Sequence, residues 1–282
     1  MNPVSLLLID DDPAYCLKLQ AEGRDYRFEI VALHNLEDGM DALVASRRIK
    51  AVILDGRCLL EPNQKEAART NFVHHALQRI ADIENEYNRI IPFCINTEHP
   101  NDFVEDLDGI APVFTKSLNN ADLFDWLNHE ISQLPETMIR KRYNETFLKT
   151  ENLFTDEEND LLIDVLQTAN SSDPAVIITN LALLRRLLER VIDISCTVKL
   201  NKQPHDFKVG HGSRTRRILD AMHRKVLPLE LYNSANQLYV TCSKYGNHHG
   251  LQIKGELAYK PGKFAVQYLV FMYLELIDYL LD

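Results

Sequence analysis

The chain has 282 residues, 45% hydrophobic and 26% charged, with a formal net charge of −10. That length suits two domains of about 100–200 residues each, and the balance is that of an ordinary globular protein rather than a fibrous or low-complexity one. The acidic total argues against broad non-specific nucleic-acid binding, which runs on basic surface.

No basic stretch precedes the first apolar run, Ser5-Leu6-Leu7-Leu8-Ile9, and five residues are too few for a signal peptide. The run reads as a strand and ends in Asp10-Asp11-Asp12. Asp12-Pro13 opens a helix, with Asp12 as its cap and proline at an early helical position. Phe28 to Ala32 reads as a second strand. Leu36 to Ile49 reads as a helix, with Leu36, Met40, Leu43 and Val44 at helical spacing. Ala51 to Leu54 is apolar at every position, as in a strand covered on both faces, and it runs into Asp55-Gly56. Asn71 to Tyr87 reads as a long helix. Ile90 to Asn96 is a fourth strand ending at Thr97, Ala111 to Thr115 a fifth ending at Lys116, and Ala121 to Leu134 the last helix of the series. Such an alternation implies an α/β fold, a doubly wound five-stranded parallel sheet with right-handed crossovers.

In an open parallel sheet the carboxyl ends of the strands share one crevice. Asp10, Asp11 and Asp55 would bring hard carboxylate oxygens to it, the ligands magnesium prefers, and the backbone carbonyl of Arg57 could add another. Lys116 would meet a phosphoryl oxygen as a point charge, and Thr97 would hydrogen-bond a second. The set points to phosphoryl acceptance on Asp55.

These residues resemble the receiver domain of bacterial two-component response regulators, over residues 4 to about 134. The resemblance implies a flavodoxin-like fold, Asp10 and Asp11 as magnesium-site acids, and Asp55 as phospho-acceptor. It also implies Thr97 and Lys116 as switch residues. A cognate histidine kinase, or a small phosphodonor, would supply the phosphoryl group. Receivers often pair through their last helices, so a homodimer is expected. This chain departs from the pattern at Ser117, where a proline is usual, and at Val113, where the family often has an aromatic. It is longer between Asp55 and Thr97, with the extra residues in Leu59 to Arg69 and in the third helix. Arg57 stands beside the acceptor, where its guanidinium could pair with an acid or with the phosphate.

Pro135 marks a break. Residues 135–154 read as a linker helix and 155–282 as an all-α output domain. Thr155-Asp156-Glu157-Glu158 is a capping-box pattern opening a helix to about Ala169. Ser171-Ser172-Asp173-Pro174 starts the next, whose apolar face runs from Ile177 to about Val198. A loop with Pro204, Gly210 and Gly212 follows, then helices over 213–226, 228–244 and 261–281. No winged-helix pattern is present. The basic sets Arg185-Arg186-Arg190 and Arg214-Arg216-Arg217 read as solvated helix faces balanced by acids. The stretch from Cys242 to Gly250, with Lys244, Asn247 and His249, resembles HEPN-type helical domains, some of which cleave RNA. In such a site His249 would act as general acid or base and the residue at Lys244 would stabilise phosphate charge. Lysine in place of the family's arginine weakens that chemistry.

Three functions therefore stand as expectations. The first is a phosphorylation-controlled response regulator acting through dimerisation or partner binding. The second is a receiver-gated HEPN-like ribonuclease or RNA-binding protein, and the third a degenerate receiver used as a static interaction module. The five scattered cysteines contain no C-x-x-C pair and suggest a cytoplasmic, reducing setting. No segment reads as a membrane span, because the apolar stretch Phe264 to Leu281 carries Gln267, Glu275 and Asp278.

Overall fold

The structure, a computed structural model, describes residues 3–62, 71–103, 107, 109–117, 120–207, 213–246 and 261–282. It divides into two compact units, Met1–Leu134 and Pro135–Asp282. In the first, strands and helices alternate: β1 (Val4–Ile9), α1 (Pro13–Asp25), β2 (Phe28–Leu33), α2 (Leu36–Ala45), β3 (Ile49–Leu54), α3 (Asn71–Tyr87), β4 (Phe93–Thr97), β5 (Val113–Thr115) and α4 (Ala121–Gln133). The strands pair in parallel in the order β2-β1-β3-β4-β5. That is the flavodoxin-like doubly wound order, with its ligand crevice at the β1/β3 switch point.

The uniformly apolar strands are uniform because both faces are covered. Leu7, Ile9, Val52, Leu54 and Ile95 pack with the buried faces of α2 and α3. The alternate residues Leu6, Leu8, Ala51, Ile53 and Cys94 pack with α1 and α4 on the other side. Truncating one of these leucines to alanine costs roughly 2–5 kcal/mol in such a core. Asp12 caps α1 as expected, its carboxylate accepting from the Ala14 N–H at 2.9 Å.

Element ends differ from the sequence reading in physical ways. α2 stops at Ala45, where Ser46 turns extended (φ −136°), and Ile49 is the buried first residue of β3 instead of the last of a helix. Val44 is 43% exposed, so it does not belong to the core face of α2. β4 starts at Phe93, because Pro92 has no N–H to give the ladder, although its carbonyl accepts from Val52 at 2.9 Å. The described start of the extended segment docks on α2. Leu59 and Leu60 carbonyls accept from Leu36 and Glu37 N–H groups that have no intrahelical partner. Residues 63–70, the rest of that segment up to Arg69 and beyond, lie outside the described residues.

The second unit is helical: α5 (Pro135–Arg142), α6 (Asn144–Thr150), α7 (Asp156–Thr168), α8 (Pro174–Leu200), α9 (Arg214–His223), α10 (Leu229–Tyr245) and α11 (Lys263–Leu280). The segment 135–154, read as one linker helix, is two short helices parted at Tyr143. It is also no bare spacer, since Phe147, Thr150 and Phe154 are buried in the core of the helical unit. α8 is the central pillar, and α7, α9, α10 and α11 pack against it. Asp173 caps its start and Asn201, left-handed at φ 50°, ends it. The capping box at α7 forms in both directions, Glu158 N–H to Thr155 Oγ1 and Thr155 N–H to Glu158 Oε2.

Candidate functional site

Four strand ends meet at the crevice. β1 delivers Asp10 and Asp11, β3 delivers Asp55, and β5 delivers Lys116, while Thr97 closes β4. One carboxylate oxygen from each of Asp10, Asp11 and Asp55 lies within 4.8 Å of the others. Lys116 Nζ bridges the pair, 2.7 Å from Asp10 Oδ2 and 3.2 Å from Asp55 Oδ1. The backbone fixes both acids further. The Asp12 N–H donates to Asp10 Oδ1 at 3.0 Å, and the Gly56 N–H donates to Asp55 Oδ1 at 2.7 Å.

Among the described residues, three carboxylates face one ammonium here, in a place where water is scarce. Asp10 is fully buried and Asp55 only 8% exposed. Burial pushes the Asp55 carboxyl up to about 6, and the Asp10 carboxylate adds to the rise while Lys116 opposes it. Burial raises Asp10 as well, again against Lys116. For Lys116, burial works to lower the ammonium's affinity for its proton, but the two carboxylates outweigh it and hold the group above its ordinary range. A divalent cation would relieve this imbalance. Three hard oxygens at one point are a donor set that suits magnesium and not a thiophilic metal.

Thr97 is buried, and its Oγ1 accepts from the His99 N–H at 3.2 Å. It also sets the identity of its neighbour: a Cβ on Gly56 would stand 2.6 Å from Thr97 Oγ1 and 2.6 Å from Phe103 Cε2. Only glycine lets the chain after Asp55 pass this close to the end of β4.

Arg57 does not enter the acidic cluster. Its guanidinium pairs with Asp102, 2.5 Å away in a 3-10 turn after β4, and both side chains are about half exposed. Behind Lys116 lies a group that the sequence reading did not identify. The Tyr15 ring stands under the ammonium at 4.7 Å, and its hydroxyl accepts from Asn96 and donates to Asn120. The only local hint was an aromatic in the first turn of a helix that starts beside the acids.

No protein-family model matches the chain, and no curated protein matches it. Among solved structures, it is similar to a response regulator receiver domain protein from Clostridium thermocellum, at 15% identity and a TM-score of 0.35, covering 46% of this chain and 95% of that one. It is also similar to the PhyR response regulator REC domain of Erythrobacter litoralis, at 15% identity and a TM-score of 0.36, covering 48% and 94%. The first unit has the flavodoxin-like doubly wound fold, with the acids at its carboxyl edge.

The helical unit offers less chemistry. Lys244 lies in the last turn of α10, its ammonium 5.1 Å from the Tyr245 ring centroid. Asn247 and His249 fall outside the described residues. The basic sets are balanced by acids: Arg185 pairs with Glu189, Arg186 with Glu157, Arg190 with Glu158 and Arg214 with Asp193. Arg217 donates to the Phe207 carbonyl. Among the described residues, no helix is long and apolar enough to cross a membrane.

Proposed function

We propose that the protein is a response regulator in which Asp55 accepts a phosphoryl group, and that this event controls the helical unit through dimerisation or partner binding. The observation that carries the reading is the cluster itself: three carboxylates at one point, with Lys116 between Asp10 and Asp55. The donor would be a phosphohistidine of a cognate kinase or a small acyl phosphate. The Asp55 carboxylate attacks phosphorus, an O–P bond forms, and the bond to the donor's nitrogen or oxygen breaks with its electron pair leaving on the donor. A magnesium ion held by Asp10, Asp11, Asp55 and the Arg57 carbonyl would neutralise charge on the phosphoryl oxygens.

The chain's own groups do the rest. Gly56 N–H fixes the Asp55 carboxylate for attack. Lys116 is already within reach of Asp55 and follows the new negative charge. Thr97, beside Gly56, offers its hydroxyl to another phosphoryl oxygen. The added charge of about −1.5 to −2 shifts an existing equilibrium of the carboxyl edge, because it binds one arrangement of Lys116 and Thr97 better than the other.

The test is intact-mass measurement after incubation with acetyl phosphate and magnesium. Wild type gains one phosphoryl group, and Asp55→Asn or added chelator abolishes the gain. An unmodified wild type would reduce the unit to a static interaction module. Modification that survives in Asp55→Asn would place the acceptor elsewhere.

A further inference from the structure

Tyr15 occupies the third position of α1, after the Asp12 cap and Pro13. Four contacts meet on it, the longest being Lys18 Nζ at 5.8 Å from the ring centroid. Its ring face receives the Lys116 ammonium at 4.7 Å, in a place where the lysine side chain is only 9% exposed. Its hydroxyl accepts from Asn96 Nδ2 at 2.5 Å, and Asn96 is the residue immediately before Thr97. The same hydroxyl donates to Asn120 Oδ1 at 3.2 Å, at the start of α4. Asn120 then donates to Glu22 Oε2 at 2.7 Å, back on α1.

This arrangement displaces ordinary helix chemistry. Asn120 stands at the N-cap of α4, where asparagine is a favoured cap, yet its side chain makes no capping hydrogen bond. The amide that would satisfy the first turn of α4 is committed to Tyr15 and Glu22 instead. Asn96 is 1% exposed, and its Oδ1 meets no donor among the described residues. A buried acceptor without a partner and a cap without its bond are both unfavourable. The network thus gives up stability at two places that meet at one tyrosine, which is what a group able to exchange partners looks like.

We infer that Tyr15 is a positioning residue: its ring holds the Lys116 ammonium over the acidic cluster, and its hydroxyl couples movement of Lys116 to the start of α4. The inference rests on the reading of Asp55 as acceptor. When Lys116 moves toward a phosphoryl group on Asp55, it leaves the ring. Tyr15 is then free to change its bonds to Asn96 and Asn120, and Asn120 can return to capping α4. Trp126, on α4 and packed against Phe114 of β5 at 6.0 Å between ring centroids, lies where this change would be read.

The experiment compares wild type, Tyr15→Phe, Tyr15→Leu and Asn120→Ser. Phosphoryl uptake from acetyl phosphate with magnesium is followed by mass, and the response to magnesium with beryllium fluoride by Trp126 fluorescence. Tyr15→Phe keeps the ring and takes up phosphate within roughly twofold of wild type, whereas Tyr15→Leu is slowed roughly tenfold by loss of the π face. Tyr15→Phe loses the fluorescence response although Asp55 is modified. So does Asn120→Ser, which supplies an ordinary cap but breaks the link. In resting protein, amide exchange at Phe124, whose N–H bonds the Asn120 carbonyl, changes in Tyr15→Phe. A full Trp126 response in Tyr15→Phe overturns the coupling, as does wild type that is phosphorylated without any Trp126 change. Equal uptake by Tyr15→Leu and wild type overturns the positioning of Lys116. Wild type that takes up no phosphate sinks the reading of Asp55, and unchanged exchange at Phe124 then sinks the Tyr15 link by itself.

Discussion

Replacing Asp55 with asparagine should stabilise the first unit, by an amount that depends on pH. The carboxyl titrates near 6 in the folded chain against 3.8 for a free side chain, chiefly because it is buried and secondarily because Asp10 is beside it. A folded value above the unfolded one means that the folded state holds the proton more tightly. The stability penalty is therefore absent below about pH 4, grows between about pH 4 and 6, and is complete above that window. At about 1.4 kcal/mol per pH unit, the gap corresponds to roughly 3 kcal/mol at neutral pH. Asparagine is a neutral near-isostere and behaves as permanently protonated Asp55, so Asp55→Asn should gain about 2–3 kcal/mol at pH 7.5, or roughly 6–10 °C in Tm. The gain should shrink to nearly nothing at pH 4. The assay is urea unfolding with chelator present, followed by tryptophan fluorescence. The chain's only tryptophan is Trp126, on α4, so the signal belongs to the first unit. A variant no more stable than wild type at pH 7.5 would refute the reasoning, and so would a gain that persists unchanged at pH 4.

Further consequences can be checked on the same signal. Lys116→Met strands two buried carboxylates without a cation and should destabilise the unit by about 3–5 kcal/mol, less at pH 5 than at pH 8. Magnesium should stabilise wild type, by about 2.7 kcal/mol at a hundredfold excess over its Kd. Asp11→Asn should remove most of that gain in a magnesium titration. Gly56→Ala forces a methyl group to within 2.6 Å of Thr97 Oγ1 and Phe103 Cε2, an overpacking worth about 1–3 kcal/mol, and should show as a lowered urea midpoint.

The acids, the threonine and the lysine could be read from sequence because topology fixes where they go. A run that is apolar at every position, such as Ala51 to Leu54, is a strand covered on both faces, and its last residue must emerge at the carboxyl edge. Once the strands that end at Asp10, Asp55, Thr97 and Lys116 lie parallel, their ends meet whatever the loops do, so Asp10, Asp11, Asp55, Thr97 and Lys116 converge. Helix periodicity carried α3 and α8 for the same reason, since one long apolar stripe is hard to misread. It did not fix the end of α2: Ile49 falls off the helical face of Met40 and Leu43 and is instead the buried first residue of a strand. The turn at Ser46 to Arg48 parts the two elements.

Tyr15 and Arg57 show where sequence reasoning stops. Tyr15 meets Asn96 and Asn120 across 81 and 105 residues of chain, and which way its ring turns depends on how α1 packs against the sheet. Arg57 is the opposite case. It lies two residues from Asp55, yet its partner is Asp102, because the backbone after Gly56 carries the guanidinium away from the crevice and toward the turn after β4. Of the two partners the sequence left open to the guanidinium, an acid or a phosphate, the structure shows an acid, and one 45 residues away in the chain. An exposed pair of this kind contributes about 0–1 kcal/mol. Among the described residues, the cation that pairs with the buried carboxylates is Lys116. Lys116 stands at the end of an edge strand, is nearly buried, and has two acids and one aromatic face within reach. Any ligand that adds negative charge at Asp55 must draw Lys116 away from Asp10 and off the Tyr15 ring, and the strength of those two contacts sets how far the signal can travel.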